Sequence, residues 1–513
     1  MDFTNLIDTP SSIYSMHKYW GKKPSNELKT IIKKYSKEND IIFDPFSGFG
    51  GIGVEAILLN RNIILNDLNP CANFISENVL NYNVDLTKLK VLFDFVKSQY
   101  DDFFREWYYF NGKKIISILR NHSNEPILLK LSEETNSSSY DYLLNKDEQK
   151  SFLEHEENYD IKSWYPDNRI ISNSRISAKE NMHVSDLFPK RALICHSFLF
   201  ETITALPDCP EKKLLLLAFT ANVANCSKLV PPIKTRGAMS PGAWMTGFYI
   251  ADNYIENNVF HYYENRVKKI IKGKSDFVNL ISYKERVGEY TIKNCDAKKI
   301  DYNDESFDLI FTDFPYGDTV PYFEQSQIWN CWLELNVDYE NEIVISDSKE
   351  RNKTNEIFAR DIATAIAEID RVLKNDSYFV FTFHSMYGNE WSAIVNALAK
   401  TNLVFVESSL MVQKTLSPRQ LNRQKTIKGD MLVVFQKKSN IKKCKAQYNS
   451  FDLKSYLEKE TTKEKLYDTN ELIVLCVNKM LEQKIMTDNC DFIKVISCCF
   501  EEEEGKWRKK DEL

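Results

Sequence analysis

The first 70 residues alternate between apolar runs and polar turns in the order expected for a β-α-β unit. Residues 41–43 form a short apolar run that leads directly into the glycine-rich stretch 44–53. Residues 54–59 continue with helical spacing, and residues 62–65 form a second apolar run that ends in Asn-Asp-Leu-Asn-Pro. Because parallel strands need a crossover of this kind, the two runs predict neighbouring parallel strands in an α/β sheet.

Further strand patterns occur in the second half of the chain. Residues 306–311 and 378–383 are apolar runs, and a helical pattern covers residues 362–373 between them. Residues 432–435 form a last apolar run that can complete the sheet. We therefore expect one α/β domain built from two separated parts of the chain.

The long interval between the two groups of strands predicts an insertion. The expected α/β domain comprises residues 1–100 and 285–440, and residues 101–284 form a large inserted domain. Residues 441–513 are rich in Lys, Glu and Asp with apolar residues at helical spacing, which predicts a small helical C-terminal appendage. Three units agree with a length of 513 residues, because single cores stop growing near about 250 to 300 residues.

Composition narrows the class of protein. With 43% hydrophobic and 27% charged residues, the chain is typical of a folded globular protein. It contains no membrane-length apolar run and no secretory start, so a cytoplasmic location without a membrane partner is expected. The eleven cysteines include no Cys-x-x-Cys pair, so neither a metal cluster nor a disulfide framework is expected. A net charge of −6 excludes an evenly basic surface but allows a local basic face for nucleic acid.

The glycine-rich stretch has the Gly-x-Gly-x-x-Gly form of a nucleotide-binding loop between a strand and a helix. That spacing alone fits a dinucleotide-dependent oxidoreductase, or a tight turn without a ligand. Asp44 favours S-adenosylmethionine instead, because a carboxylate repels a pyrophosphate but attracts ammonium and sulfonium groups. Asp67 can accept ribose hydroxyls, and Asp296, followed by Ala297, offers an acceptor for the adenine amino group, with a surface turn as the alternative. The predicted contacts from the loop and the second strand are Asp44, Pro45, Phe46, Ser47, Gly48, Gly50, Asp67 and Leu68.

The tetrapeptide Asp313-Phe314-Pro315-Tyr316 directly follows a predicted strand, at the sheet edge where α/β proteins bind ligands. An aromatic amino group is a weak nucleophile, so an enzyme that methylates it must hold it with hydrogen-bond acceptors. Asp313 and the carbonyl of Phe314 can supply two acceptors, and Pro315 favours an extended Phe314 that aims its carbonyl. Tyr316 offers a ring on which the base can stack. A strand that simply ends in a proline turn is the alternative.

Together these residues resemble the DNA methylase family that modifies adenine N6 or cytosine N4. The resemblance rests on residues 17–24, 44–50, 67–70, 184–191, 312–322 and 371–374. It implies a Rossmann-like class I methyltransferase sheet, S-adenosylmethionine as cofactor and DNA as substrate, with the target base flipped out of the duplex. It also implies that Lys18, Tyr19 and Trp20, in the segment before the loop, contact the cofactor.

Three features of the resemblance concern the target. With aspartate at its first position, the tetrapeptide resembles the motif of the adenine enzymes more than that of the cytosine enzymes. The first proline of the family motif is Phe314 here. This change keeps the acceptor carbonyl but brings a bulky ring into a tight loop, so reduced activity and an altered base pocket are both alternatives. The cofactor loop precedes the tetrapeptide with a long insertion between them, an arrangement that implies an insertion that reads DNA.

Basic residues suggest where DNA binds. Five of them crowd a stretch without acids that precedes the last predicted strand, namely Lys414, Arg419, Arg423, Lys425 and Lys428. Facing a cleft, this stretch can hold phosphates; as a solvated hairpin it would not. Further basic residues are expected to add to the same surface, with a solvent-facing position as the alternative, namely Lys22, Lys23, Lys190 and Arg191. A cytosine-N4 enzyme, an RNA amino-methyltransferase and an impaired pseudo-methyltransferase that binds DNA are the rival functions, and a restriction or defence-system subunit is a candidate partner.

Overall fold

A seven-stranded sheet organises the chain in the computed structural model, which describes residues 9–133, 138–386, 388–411, 429–439, 446–448, 453–487, 491–503 and 505–510. The strands are β1 (Ile41–Asp44), β2 (Asn62–Asn66), β3 (Tyr109–Phe110), β4 (Lys113–Asn121), β5 (Pro126–Ser132), β6 (Ser139–Leu143), β7 (Asn253–Asn257), β8 (Tyr290–Lys293), β9 (Phe307–Asp313), β10 (Leu373–Phe383), β11 (Leu403–Met411), β12 (Asp430–Lys437), β13 (Gln447–Tyr448), β14 (Leu466–Tyr467), β15 (Ile485–Met486), β16 (Phe500–Glu503) and β17 (Lys506–Lys509). The helices are α1 (Ser11–Tyr14), α2 (Ser25–Tyr35), α3 (Gly51–Leu58), α4 (Pro70–Leu80), α5 (Leu86–Tyr108), α6 (Lys146–Glu157), α7 (Lys190–Thr204), α8 (Pro210–Val223), α9 (Val259–Ser282), α10 (Tyr322–Trp332), α11 (Asn355–Val372), α12 (Gly388–Leu398), α13 (Leu453–Glu460), α14 (Thr469–Gln483) and α15 (Phe492–Cys499).

The strand order of the main sheet creates a ligand crevice. The order is β11-β12-β10-β9-β1-β2-β8, and β12 runs antiparallel to its neighbours while the other strands are parallel. The chain passes from β1 to β2 on one side, whereas β9 and β10 lie on the other side of β1. In such sheets the ligand binds outside the carboxyl ends of the strands where the order reverses. The carboxyl ends of β1 and β9 are therefore the expected position of the site.

The predicted strands all lie in this sheet, and two edge strands were not predicted. In β8 half-buried and exposed positions alternate, and most of β11 is at least partly exposed. The strand β8 alternates apolar and polar residues instead of forming an apolar run, whereas β11 begins with an apolar run at residues 403–406 that was not recognised as a strand. The central strands are buried on both faces, as is typical of parallel sheets, and that is why they were found.

Residues 86–288 lie between α4 and β8 and contain helices α5 to α9 and a second sheet. The boundary expected at residue 101 falls inside α5, whose apolar spacing continues through it. One buried cluster contains Ile42 of the main sheet together with Tyr100 and Phe277 of the inserted segment. The inserted segment therefore shares its hydrophobic core with one face of the main sheet.

The C-terminal region packs on the opposite side of the sheet. Leu472 and Phe492 share a buried cluster with Phe381 of β10. The helical pattern predicted around Leu472 is α14, but the region is not purely helical, because β14, β16 and β17 form a three-stranded sheet. No helix among the described residues combines the length and the apolar character that crossing a bilayer requires.

Candidate functional site

The loop of residues 45–50 is held tightly against β2 and α4. Gly48 donates its backbone N–H to Oδ2 of Asp67 at 2.8 Å. Gly48 and Gly50 have φ values of 49° and 75°, a conformation that residues with a Cβ rarely adopt. A Cβ at Gly50 would lie 2.8 Å from the Cβ of Ser76 in α4. Glycine at this position therefore allows the loop to approach the helix that follows β2.

Two carboxylates lie at the strand ends beside this loop: Asp44 is the buried last residue of β1, and the partly exposed Asp67 directly follows β2. Asp44 accepts hydrogen bonds from Oγ1 of Thr312 at 2.9 Å and from the backbone N–H of Phe46 at 3.1 Å. Burial raises the pKa of Asp44 to about 8. Asp67 accepts a second backbone hydrogen bond, from Asn69 at 2.8 Å, and burial raises its pKa to about 6. A cation bound nearby would favour the ionised form of both groups.

A cavity opens over this edge of the sheet, and its space together with the adjoining open solvent is about 980 Å³. Most of the predicted site residues line it, namely Tyr19, Trp20, Asp44, Pro45, Phe46, Ser47, Gly48, Asp67, Leu68, Asp296, Ala297, Asp313 and Pro315. Four predicted site residues are not part of this wall, namely Lys18, Gly50, Phe314 and Tyr316. The predicted cofactor loop and the first residue of the catalytic tetrapeptide therefore meet in one space, although 269 positions separate Asp44 from Asp313 in the sequence.

Aromatic rings from the segment before α2 form one side of the cavity. The ring of Tyr19 stacks on Tyr322 with 6.3 Å between centroids, and Trp20 meets Tyr322 edge-on at 6.2 Å. Lys18 is exposed, and its ammonium lies 4.3 Å from the ring centroid of Trp244 in a cation–π contact. Lys18 therefore lies beside the cavity rather than in its wall.

Asp313, the last residue of β9, accepts hydrogen bonds from three side chains. Its Oδ1 accepts from Oη of Tyr316 at 2.7 Å and from Oγ1 of Thr382 at 2.6 Å. Nζ of Lys23 lies 2.9 Å from its Oδ2. Tyr316 is buried and its hydroxyl is engaged, whereas Tyr322 lines the cavity. The stacking surface predicted at Tyr316 is therefore better placed at Tyr322.

The ring of Phe314 lies in the core under the cavity floor. Phe314 is fully buried and packs on Phe46 of the cofactor loop and on Phe379 and Phe381 of β10, with 5.2 to 6.0 Å between ring centroids. Its backbone N–H donates to the carbonyl of Thr382 at 3.2 Å. The bulky ring thus packs in a buried aromatic cluster and does not occupy the cavity.

Lys23, expected on a DNA-facing surface, is instead buried in the wall of the cavity beside Asp313. Its Nζ lies 2.7 Å from Oδ2 of Asp430 and donates to Oη of Tyr316 at 2.6 Å, besides its contact with Asp313. Burial lowers the pKa of Lys23, but the two carboxylates outweigh burial and hold that pKa above its usual value. Asp430 and Tyr316 lie 407 and 293 positions away, so no local pattern distinguishes Lys23 from the neighbouring Lys22.

Residues 341–343 complete the cavity wall and were not predicted. Burial raises the pKa of Glu342 to about 8, although Arg351, which donates to it, acts in the opposite direction. Arg351 also pairs with Glu324 of α10 at 2.5 Å. This buried ion network fixes the connection between α10 and α11 against the cavity.

Of the basic residues predicted to contact DNA, the structure describes four, namely Lys22, Lys23, Lys190 and Arg191. The others lie outside the described residues, namely Lys414, Arg419, Arg423, Lys425 and Lys428. Lys190 donates its ammonium to the carbonyl of Glu157 at 2.9 Å. Arg191 is only 3% exposed, pairs with Glu156 at 2.9 Å and donates to the carbonyl of Trp107 at 2.7 Å. Because α7 turns Arg191 into the core of the inserted segment, this side chain is not available to a phosphate.

The fold and the cavity are those expected of an S-adenosylmethionine-dependent methyltransferase, and a family comparison supports the same class. Residues 5–77, which contain the cofactor loop and both strand-end carboxylates, match a family model described as DNA methylase. No curated protein matches the chain.

Two methyltransferases are among the solved structures to which the chain shows a distant likeness. The rRNA methyltransferase aviRa from Streptomyces viridochromogenes is 8% identical with a TM-score of 0.30, over 85% of this chain and 95% of that chain. A SAM-dependent methyltransferase from Methanosarcina mazei is 11% identical with a TM-score of 0.18, over 32% of this chain and 77% of that chain. Likeness at this level decides nothing about the substrate.

Proposed function

We propose that the chain transfers a methyl group from S-adenosylmethionine to an exocyclic amino nitrogen of a DNA base, with adenine N6 the favoured target. The observation that carries the proposal is the position of Asp313. Its carboxylate opens into the same cavity as Asp44 and Asp67 and is presented by the tetrapeptide that follows β9. A cofactor subsite and an acceptor for an amino group therefore share one space.

The residues present fit the cofactor. Asp44 would face its ammonium and sulfonium groups, and Asp67 would accept its ribose hydroxyls. Asp296 lines the same cavity and would accept from the adenine amino group. When bound, the cofactor supplies an activated methyl group on sulfur. The glycine backbone at Gly48 allows the ligand to approach closely, since no Cβ intervenes.

The tetrapeptide supplies the chemistry at the target. Asp313 accepts one N–H bond of the amino group, which directs the nitrogen lone pair away from the carboxylate. The carbonyl of Phe314, predicted as the second acceptor, belongs to a fully buried residue that is not part of the cavity wall. Methyl transfer would leave the cofactor as its thioether and put a positive charge on the target nitrogen, and the carboxylate of Asp313 would stabilise that charge until the nitrogen releases a proton to solvent. Tyr322, whose ring lines the cavity, is the stacking surface for the flipped base.

DNA as the partner is supported by a segment without acids beside the cavity. Residues 227–251 contain Lys228, Lys234 and Arg236 but no Asp or Glu. Trp244 of this segment carries the ammonium of Lys18 over its ring. Lys234 and Arg236 of this segment are exposed, and exposed cations would suit the phosphates that flank a flipped base.

The test is to incubate the protein with tritiated-methyl S-adenosylmethionine and either genomic DNA or total RNA, and to identify the labelled nucleoside. Label in N6-methyladenine from DNA is expected. Asp313→Ala should abolish it, whereas Asp304→Ala, at an exposed aspartate paired with Arg371, should leave it unchanged. Label in N4-methylcytosine would show that the target base is cytosine and not adenine. Label on RNA alone, or none on either substrate, would refute the proposed function.

A further inference from the structure

Lys23 sits at the centre of a buried polar cluster that the proposed chemistry does not yet use. An ammonium has three N–H donors, and those of Lys23 are matched by three acceptors: Asp313 at 2.9 Å, Asp430 at 2.7 Å and Tyr316 at 2.6 Å. The residue is 7% exposed. Every donor of this buried charge is therefore directed at a specific partner.

The same cluster determines how Asp313 can meet a ligand. An ionised carboxylate has about four acceptor positions. Tyr316 and Thr382 occupy two of them on Oδ1, and Lys23 occupies one on Oδ2. One position on Oδ2 is left for a ligand in the cavity. If Asp313 were protonated, this position would carry a hydrogen and would repel an amino group.

Space beside Oδ2 is kept open by a glycine. A Cβ at Gly21 would lie 3.0 Å from Oδ2 of Asp313, and Gly21 has a φ of 73°. This conformation, rare for residues with a Cβ, brings Lys23 two positions later under the carboxylate. The segment before α2 thus contributes to the acceptor as well as to the cofactor side of the cavity.

We propose that Lys23, with Asp430 as its second partner, is a positioning residue that keeps Asp313 ionised and leaves a single acceptor position on Oδ2 for the target amino group. The inference rests on the proposed function, since it concerns the acceptor used there. Without the ammonium, two carboxylates would share one buried site, and one of them would take up a proton near neutral pH.

Other charged or titratable groups face Asp313 from the surrounding elements. They are Lys23 before α2, Asp44 at the end of β1, Tyr316 in the tetrapeptide, Tyr322 in α10 and Asp430 in β12, which is itself 3.6 Å from His384. Burial raises the pKa of Asp313, and Lys23 is the cation in this set that acts in the opposite direction. Removing Lys23 should therefore shift the acidic limb of the profile of methyl-transfer rate against pH.

The kinetic test measures single-turnover methyl transfer to DNA against pH for the wild type, Lys23→Met and the double variant Lys23→Met/Asp430→Asn. Because loss of an opposite charge near a carboxylate raises its pKa by about one to three, Lys23→Met should move the acidic limb upward by about that many pH units. Activity should be retained at high pH, where Asp313 ionises again. The double variant removes the second carboxylate, so the limb should move part of the way back. Lys33→Met, at an exposed lysine of α2, should behave as the wild type.

A spectroscopic measurement tests the protonation of Asp313 independently of methyl transfer, so it can be interpreted whether or not the proposed function holds. Infrared difference spectra at neutral pH should show a protonated carboxyl band in Lys23→Met that is absent from the wild type and is lost in Lys23→Met/Asp313→Asn. This result does not depend on turnover, so it stands even if the wild type methylates no DNA. Equal loss of activity at every pH, or a carboxyl band unaffected by Lys23→Met, would overturn the assignment.

Discussion

Phe314 provides a direct test of whether the departure from the family tetrapeptide impairs the site. Restoring proline, in Phe314→Pro, should destabilise the protein instead of improving it. Truncating a fully buried phenylalanine to alanine costs about 3 to 5 kcal/mol of unfolding free energy. Proline keeps part of that side-chain volume but has no N–H, so the hydrogen bond to Thr382 is lost at a further cost of about 1 kcal/mol. Phe314→Pro should therefore be about as destabilising as Phe314→Ala.

The assay combines urea unfolding with cofactor binding for Phe314→Pro, Phe314→Ala and Phe314→Leu. Leucine keeps the N–H and most of the apolar volume, so its cost should stay below about 1.5 kcal/mol. Because the ring of Phe314 supports Phe46 of the cofactor loop, affinity for S-adenosylmethionine should fall in the same order as stability. A Phe314→Pro protein that is as stable as the wild type and binds or methylates better would refute this reasoning.

Two further predictions concern the cofactor loop. Gly50→Ala should cost about 2 to 4 kcal/mol of unfolding free energy and weaken cofactor binding, because the left-handed backbone and the contact with Ser76 both become strained. The control is Gly112→Ala, at a glycine with a similar φ but open space around it. Urea unfolding should show a cost of only about 1 to 2 kcal/mol for this variant. Asp44, with a pKa near 8 when no ligand is bound, should lose its proton as the cationic cofactor binds, so affinity should rise with pH up to about 8. Calorimetry in buffers of different ionisation enthalpy should detect the released proton, and its persistence in Asp44→Asn would contradict the assignment.

The parts of the site that could be predicted from the sequence are those in which local pattern and function coincide. Asp44 and Asp313 end their parallel strands and Asp67 directly follows one, and the carboxyl ends of parallel strands meet at one edge of the sheet. Apolar runs therefore identified both the strands and the acids at their ends. Phe314 was an open question because its effect depends on whether a ring-sized space exists beneath the loop, and only packing decides that.

The parts that could not be predicted depend on contacts between distant segments. Lys23 looks like one of a pair of surface lysines until β9 and β12 bring Asp313 and Asp430 beside it. Arg191 shows the converse error, since a Lys-Arg pair at the start of a helix suggests a solvated face. Its orientation is set by a buried ion pair with Glu156, which no sequence spacing reveals. Long-range charge pairing was thus the main source of both omissions and misplacements.

The shared core described for residues 86–288 limits how this protein can change its specificity. Buried Lys274 of α9 donates to the carbonyls of Val79 and Asn81 at 2.9 and 2.6 Å and so joins the inserted segment to the helix that follows β2. His17, in the segment before α2, contacts Thr220 of α8 at 3.1 Å. Replacing the whole insertion would remove side chains that support the cofactor site. New recognition properties are therefore expected to arise by exchange of exposed loop residues, with the helices beneath them retained, and not by exchange of an intact module.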